Sequence, residues 1–465
     1  MLKIYNSLSR NKQPLIPKVS GKIGLYVCGM TVYDYCHIGH ARVMVVFDMV
    51  ARYLRYCDYE LTYVRNVTDI DDKIIQRAYE NGESFIELTT RFINAMHEDE
   101  RALGVLSPNQ EPKATESISA IISMIETLLK RGFAYIGENG DVFYAVHQFA
   151  NYGQLSGKKL DQLQAGERVD IDTAKRHPLD FVLWKMAKIN EPAWESPWGL
   201  GRPGWHIECS AMSTSCLGNH FDIHGGGMDL QFPHHENEIA QSEAATGEKF
   251  VNLWMHNGFV KIDNEKMSKS LGNFFTVREV LKHYRGEIIR FFILSSHYRS
   301  PLNYSDDSLN EAKIGLTRLY TALRGIDFQN CQDLVFEYQQ RFQQAMEDDF
   351  NTPVALSVLF DIARELNKAK IDLDKAKPLA FTLYTLAAIL GLLTDNPEQF
   401  LQSSDESLEK IETLTTEEIE RQIQIRLIAK QAKNWTEADK IRQALKQQGI
   451  ILEDIAGGQT IWRRD

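Results

Sequence analysis

The chain has 465 residues, a formal net charge of −11 and six cysteines. That length calls for two to four domains with at least one sizeable core, and no run of about 18 apolar residues exists to span a membrane. The N-terminal "MLKIYNSLSRNKQPLIPK" has neither the apolar stretch nor the small-residue cleavage site of a signal peptide, so a cytoplasmic location is expected, and with it no disulfide framework. The acidic total argues weakly against a nucleic-acid partner. It hides a reversal, however: 405–420 is acidic, whereas 421–465 carries more Lys and Arg than Asp and Glu.

Taken in chain order, Ile23, Leu25 and Val27 alternate as in a strand, and Val46, Met49, Val50, Tyr53 and Leu54 recur at helical spacing. Between them lies "YVCGMTVYDYCHIGHARV", which puts Cys28 at a strand's carboxyl end, where open α/β sheets place ligands. "LTYVRNV" and the residues after "TDIDD" give a second strand and helix, so the first 80 or so residues predict a parallel sheet with right-handed crossovers. From Pro108 to Pro203 the rhythm breaks: one helix ("ESISAIISMIETLLKRG") precedes "GDVFYAV", "DFVLWK" and a Trp/Pro/Gly-rich stretch, as expected of an insertion. "HFDIHGGG" and "HHENEIAQSEAAT" resume the alternation. Beyond Ser305 the apolar spacing is helical throughout, which predicts a bundle. An acidic linker near 398–420 then leads to a small basic C-terminal module.

In "CHIGHAR", His37 and His40 are three residues apart and face one side of a helix's first turn, beside Gly39. Such a terminus collects anions through unpaired N–H groups, and a glycine lets a phosphate approach. For an HxxH pair taken alone, two solvated surface histidines are the more common outcome. "EKMSKSLGN" places Lys266 and Lys269 in a small, polar, Gly-terminated stretch expected to be a mobile loop. Two lysines there can balance charge that develops in a transition state; a solvated charge run is the alternative.

Together and in this order, "HIGH" and "KMSKS" resemble the two signatures of the class I aminoacyl-tRNA synthetases. That resemblance implies attack of an amino-acid carboxylate on the α-phosphate of ATP, with Mg2+, and transfer of the acyl group to tRNA, chemistry carried by positioning and electrostatics. His37, His40, Lys266 and Lys269 would be catalytic, and His37, Gly39, His40, Gly226, Asp229 and Lys269 would bind ATP. The three glycines and two acids of "DIHGGGMDL" equally suit a tight loop with a structural Asp.

The remaining Cys/His/Glu residues bear on which amino acid is used. His234 and Glu238 are four apart and so share a helix face; with Cys28 and Cys209 they make a Cys₂HisGlu set of the kind zinc accepts. Without CxxC spacing the set is a weak motif, and the cysteines could equally be small buried residues. A zinc ion would answer a physical need, because pocket shape alone discriminates small groups by only about 10–200-fold. Serine and cysteine differ in ligand softness, which a metal reads directly.

The chain is similar over essentially its whole length to the cysteinyl-tRNA synthetase family, in "YVRNVTDIDDKII", "GRPGWHIECSAM", "FDIHGGGMDLQFPHHENEIAQSEA", "HYRSPLNYS" and "MEDDFNTPVALSVLF" as well as in the two signatures. The resemblance implies one zinc ion per chain on Cys28, Cys209, His234 and Glu238, with ATP, L-cysteine and tRNA-Cys as partners and a monomeric state. Cys36, Cys57, Cys216 and Cys331 are expected to be packing residues, while Thr68 and Trp205 are expected to line the amino-acid pocket. Trp435 and Trp462 lie among cations, an arrangement that suits stacking on unpaired bases, although Trp435 could also be the core of a helical hairpin. Trp435, Arg463 and Arg464 are the expected tRNA contacts.

The expected architecture is α/β: a Rossmann-like catalytic domain split by an insertion (1–110 and 201–255, around 111–200), a KMSKS-bearing segment (256–308), a helical bundle (309–400) and a linker with an anticodon-binding domain (401–465). An enzyme joining cysteine to an amino sugar with the same core is the in-family rival, disfavoured by the long tail. An inert zinc-containing RNA-binding protein is disfavoured by the intact signatures. A general nucleotidyltransferase should lack the thiol-selecting ligand set.

Overall fold

A computed structural model describes residues 1–158, 174–262, 275–403, 414–454 and 458–464, together with the backbone of Glu265–Lys266. Its centre is a four-stranded parallel sheet in the order Val251–Asn257, Phe221–Gly227, Lys22–Val27, Glu60–Arg65. Strand Phe221–Gly227 is buried along its whole length, as expected where helices cover both faces.

The chain leaves the first strand, crosses by helix Ile38–Tyr56 and pairs Glu60–Arg65 on one side. After the insertion it returns to pair Phe221–Gly227 on the other side. The crevice of an open α/β sheet lies where these directions diverge, and Cys28 is the first residue past the strand end there, its N–H donating to Gly225 O at 3.1 Å. Gly225 is a glycine for packing: a Cβ would stand 2.2 Å from the ring of Phe47 on the crossover helix.

The insertion folds as predicted in kind. Helix Ile118–Lys130 packs with an antiparallel sheet of Ala134–Ile136, Val142–Tyr144, Phe181–Met186 and Gly201–Pro203 around a core that includes Ile121, Ile125, Leu183 and Trp184. Its last strand falls just beyond residue 200. The TDIDD segment caps helix Asp72–Asn81 through Asp71, whose side chain accepts from Lys73 N–H. Asp72 is bound by Lys185 at 3.1 Å and by Arg202, tying that helix to the inserted sheet.

Beyond the parallel sheet, Val260–Ile262 pairs with Glu265–Lys266 and with Leu302–Tyr304. Helices Asp306–Leu323, Phe336–Glu347, Thr352–Ala369 and Leu373–Ile389 form the bundle. The C-terminal unit is the helix pair Thr416–Gln431 and Trp435–Gln447 with the hairpin Ile450–Asp454/Thr460–Arg464. No helix among the described residues is long and apolar enough to cross a membrane.

Candidate active site and metal centre

Four chain segments converge on the crevice. Cys28 ends the first strand, Cys209 lies within helix Trp205–Leu217, His234 occupies a wide turn (Gln231–His235), and Glu238 is in the first turn of helix Glu236–Thr246. The regular helix thus starts two residues after His234, later than the sequence pattern predicts, because the wide turn precedes it. The two side chains still meet, with His234 Nε2 3.2 Å from Glu238 Oε1. Cys28 Sγ is 3.3 Å from Glu238 Oε1 and 3.7 Å from Cys209 Sγ. In a tetrahedral site with metal–sulfur bonds of about 2.3 Å, two sulfurs stand about 3.8 Å apart, so this spacing fits one ion. All four residues are buried, and their ligand atoms lie within 4.8 Å of one another.

Their electrostatics favour a cation. A hydrogen bond from Cys28 outweighs burial and brings Cys209 down to about 6. Burial, together with Cys209, pushes the Cys28 thiol well up. Burial alone would suppress charge on Glu238, but His224 and His234 hold its carboxyl well below the usual range. Against the same burial, Cys209 and Glu238 raise His234 to about 10. The buried Cys209 and Glu238 thus draw positive charge onto His234, as they would onto a metal ion held among the four.

Further histidines surround this cluster: His235, which the "FPHHENEIA" stretch presents beside His234, and His206, His224 and His256, which the sequence reasoning did not single out. His224 Nε2 is 2.8 Å from Glu238 Oε2, His206 Nδ1 is 2.9 Å from His234 Nδ1, and His235 Nδ1 is 2.8 Å from His256 Nε2. His224 and His235 could join Cys28 and Glu238 in an alternative ligand set. The first set is the more open to ligand: Cys28, Cys209 and His234 line a cavity of about 460 Å³, whereas of the alternative set only Cys28 does. The signal for His224 in the sequence was a histidine inside "HFDIHGGG", a central strand buried along its whole length.

The same cavity is lined by His37, Gly39, His40, Thr68, Trp205 and Asp229. His37 is the N-cap of helix Ile38–Tyr56 and His40 its third residue, and each Nδ1 accepts the other's backbone N–H, at 3.2 and 3.3 Å. The proton is thereby assigned to Nε2, the tautomer that can donate to an anion. The rings stack with centroids 3.6 Å apart. The Trp205 ring lies 4.5 Å from His234, and Thr68 is buried beside Asn66. Gly226 does not line the cavity; a Cβ there would press on His235 at 2.9 Å, and Gly227 takes the lining position. Lys73, with Nζ 5.5 Å from the Tyr33 ring centroid, and Asn257 also line the cavity and were not singled out from sequence. Lys266 begins its motif on a two-residue strand rather than in a loop. Lys269 lies outside the described residues.

Among the described residues, one further group has ligand geometry, His97, Glu100 and Glu111. Its charge is met by Arg65, 2.5 and 2.6 Å from the two carboxylates. Cys36 packs on Met30, and none of Cys36, Cys57, Cys216 and Cys331 joins a ligand group among the described residues.

At the C-terminus, Trp435 is 57% exposed, whereas Trp462 is 3% exposed and belongs to the core with Ile419, Ile423 and Leu452. The pairing of both tryptophans as surface aromatics is therefore corrected: strand alternation in the last hairpin turns Trp462 inward. Arg463 Nε is 3.3 Å from Glu453 Oε1, and Arg464 donates to the carbonyls of Gln402 and Leu414. An open groove of about 670 Å³ between bundle and hairpin gathers Lys313, Arg318, Arg364, Lys368 and Arg463.

A split parallel sheet with a helix N-terminus and a buried ligand set at its crevice defines a class I aminoacyl-tRNA synthetase. The family of tRNA synthetases class I (C) catalytic domains matches residues 15–314, and the DALR domain matches 341–394. The chain is 65% identical over 470 residues to a cysteine–tRNA ligase of Methylococcus capsulatus and 63% identical over 465 residues to one of Thioalkalivibrio sulfidiphilus, each alignment covering 100% of both chains. It belongs to the cysteinyl-tRNA synthetase family and is a cysteine–tRNA ligase, an activity that implies tRNA-Cys, cysteine and ATP. Among solved structures, a Mycobacterium tuberculosis methionyl-tRNA synthetase with methionyl-adenylate shares the fold (TM-score 0.56, 15% identity, covering 79% of this chain and 89% of that one). So does an Agrobacterium radiobacter LeuRS in a ternary complex with tRNA (TM-score 0.59, 12% identity, 97% and 91% covered).

Proposed function

We propose that the chain forms cysteinyl-adenylate from L-cysteine and ATP–Mg2+, releasing diphosphate, and then passes the cysteinyl group to tRNA-Cys, with one zinc ion on Cys28, Cys209, His234 and Glu238 selecting the thiol. The observation that carries this reading is that three of the four ligands, Cys28, Cys209 and His234, stand in the wall of the same cavity as His37 and His40. Bound there, zinc would supply a soft Lewis acid that favours a thiolate over a hydroxyl. Trp205 and Thr68 enclose the amino-acid end of the cavity. At its other end, the N-terminus of helix Ile38–Tyr56, with Gly39 and the Nε2 protons of His37 and His40, receives the phosphates. Asp229 and Gly227, both in the cavity wall, meet the nucleoside, and Lys266 and Lys269 balance charge on the departing diphosphate.

The exposed Trp435 and the basic groove, which Arg463 lines, support an RNA-binding role for the C-terminal region, with Arg464 the next residue of the same strand. The enzyme acts as a monomer in the cytoplasm. The test is cysteine- and serine-dependent ATP–pyrophosphate exchange on protein assayed for bound zinc. Exchange with cysteine alone, lost together with zinc on chelation and restored by zinc, is the expected result. Discrimination that survives complete zinc loss would overturn the metal's role while leaving the ligase activity in place.

A further inference from the structure

Arg42, two residues beyond the second signature histidine, is fully buried on helix Ile38–Tyr56. Among the described residues no carboxylate pairs with it, and its guanidinium donates to five backbone carbonyls: Gly258 (2.8 Å), Phe259 (2.9 Å), His297 (3.4 Å), Tyr298 (3.1 Å) and Ser300. These belong to two segments. One, 257–260, walls the active cavity and runs into strand Val260–Ile262, the partner of Glu265–Lys266. The other, 297–300, runs into strand Leu302–Tyr304 on the opposite side of the same small sheet. The segments are also joined directly, Gly258 N–H donating to Tyr298 O at 2.8 Å. A side chain at Gly258 would stand 2.6 Å from the carbonyl oxygens of Arg299 and Ser300.

The side chains of Tyr298 and Arg299 turn toward the bundle. Tyr298 Oη donates to Asp349 Oδ1 at 2.7 Å, and Arg299 Nε donates to Oδ2 at 2.7 Å. Asp349, which also accepts Tyr5 N–H at 2.8 Å, is fully buried between helices Phe336–Glu347 and Thr352–Ala369. Asp349 and Phe350 both have left-handed backbones (φ 64° and 51°), which non-glycine residues rarely adopt and which these contacts hold in place. One short segment is thus gripped by its backbone from the HIGH helix and by its side chains from the bundle.

We propose that Arg42 and Asp349 are positioning residues for adenylate formation: acting from opposite sides of segment 297–300, they set the hairpin that carries Lys266 against the helix end that carries His37 and His40. The proposal rests on the ATP-site reading of those residues given above. Where catalysis is mostly geometry, a displacement of about 1 Å costs about 10²-fold, so a rigid three-way clamp at the hairpin's base acts on rate and leaves amino-acid binding alone.

The test is a double-mutant cycle on the zinc-loaded, full-length enzyme. Asp349→Asn keeps the shape and removes the charge; Tyr298→Phe removes a single bond and serves where the first variant is not recovered folded. Each is combined with Lys266→Ala, and exchange rates are expressed per active site titrated by the cysteinyl-adenylate burst. Asp349→Asn is expected to lower kcat about tenfold with unchanged cysteine KM and zinc content, and to add less than about twofold in the Lys266→Ala background, since contacting or serially acting groups are non-additive. Losses that multiply, or a lowered Tm with full kcat per titrated site, overturn the proposal. A silent Lys266→Ala single variant removes the ATP-site reading of that lysine and the proposal with it, a failure visible without either clamp variant.

Discussion

Cys28 and Cys209 stand 181 residues apart in sequence and 3.7 Å apart at their sulfurs. The insertion accounts for the separation: it lies between the two halves of the parallel sheet, so the helix bearing Cys209 returns to the crevice that Cys28 opened. Burial discourages charge on both thiols, yet Cys28 is pushed up while its hydrogen bond brings Cys209 down to about 6. One proton thus serves the pair.

Replacing one of these sulfurs tests the site most directly. Cys209→Ser keeps the size and removes a soft ligand, so bound metal per chain is expected to fall below detection after mild chelation. Cysteine-dependent exchange should fall by about 100-fold or more, the upper range seen when even a neighbour of a ligand is lost. Metal analysis beside exchange kinetics decides it; retained metal with retained activity would move the ion to the alternative set with His224 and His235.

His224 acts on Glu238 through the 2.8 Å contact to Oε2. His224→Gln should therefore weaken metal binding by roughly 10–100-fold without abolishing it. Competition with a chelator measures the change. His97→Gln, at the group whose carboxylates already pair with Arg65, is the control and should leave metal affinity at the wild-type value.

Glu287 sets a pH dependence of stability away from the active site. Burial pushes its carboxyl up to about 7, against hydrogen bonds from Tyr320 and Leu393 that favour the charged form. A folded-state value above the unfolded one means that its contribution is full below about pH 4 and is lost as pH rises through about 7, an effect of roughly 1–3 kcal/mol. Tm should fall between about pH 4.5 and 7 and level off above that, and fall more gently in Glu287→Gln, which carries no charge at any pH. Parallel slopes in a calorimetric pH series would assign the dependence to other groups.

The two C-terminal tryptophans should separate cleanly. Trp435→Ala removes an exposed ring and is expected to raise the KM for tRNA, up to the roughly 1–3 kcal/mol of one stacked base, with Tm and ATP–pyrophosphate exchange unchanged. Trp462→Ala empties the core of the C-terminal unit and should cost about 3–5 kcal/mol, seen as early local unfolding. An unchanged tRNA KM in Trp435→Ala would take that residue out of the RNA surface.

Much of the site is legible without coordinates where function demands a local pattern. Alternation at Ile23, Leu25 and Val27 announces the strand that ends at Cys28. The HIGH tetrapeptide encodes its own helix start, because His37 and His40 cap each other within one turn. His234 and Glu238 are paired by spacing alone, even though a wide turn replaces the expected first helical turn. Local order follows from nearest neighbours, so it can be read from them.

Other features depend on partners distant in sequence. Whether Trp462 faces water or core was settled by the helix pair that closes over its strand, and a side chain at Gly226 would press on His235, 2.9 Å from a Cβ there. Arg42 looks like one more helical cation until five carbonyls from two remote segments surround it. The sequence alone determined the alternating α/β order, the two signature motifs and the residue types able to hold a soft metal. Tertiary structure alone decided which cysteines, histidines and arginines meet, because burial and electrostatics act through space and a chain's periodicity records only which face a residue occupies, not what it will find there.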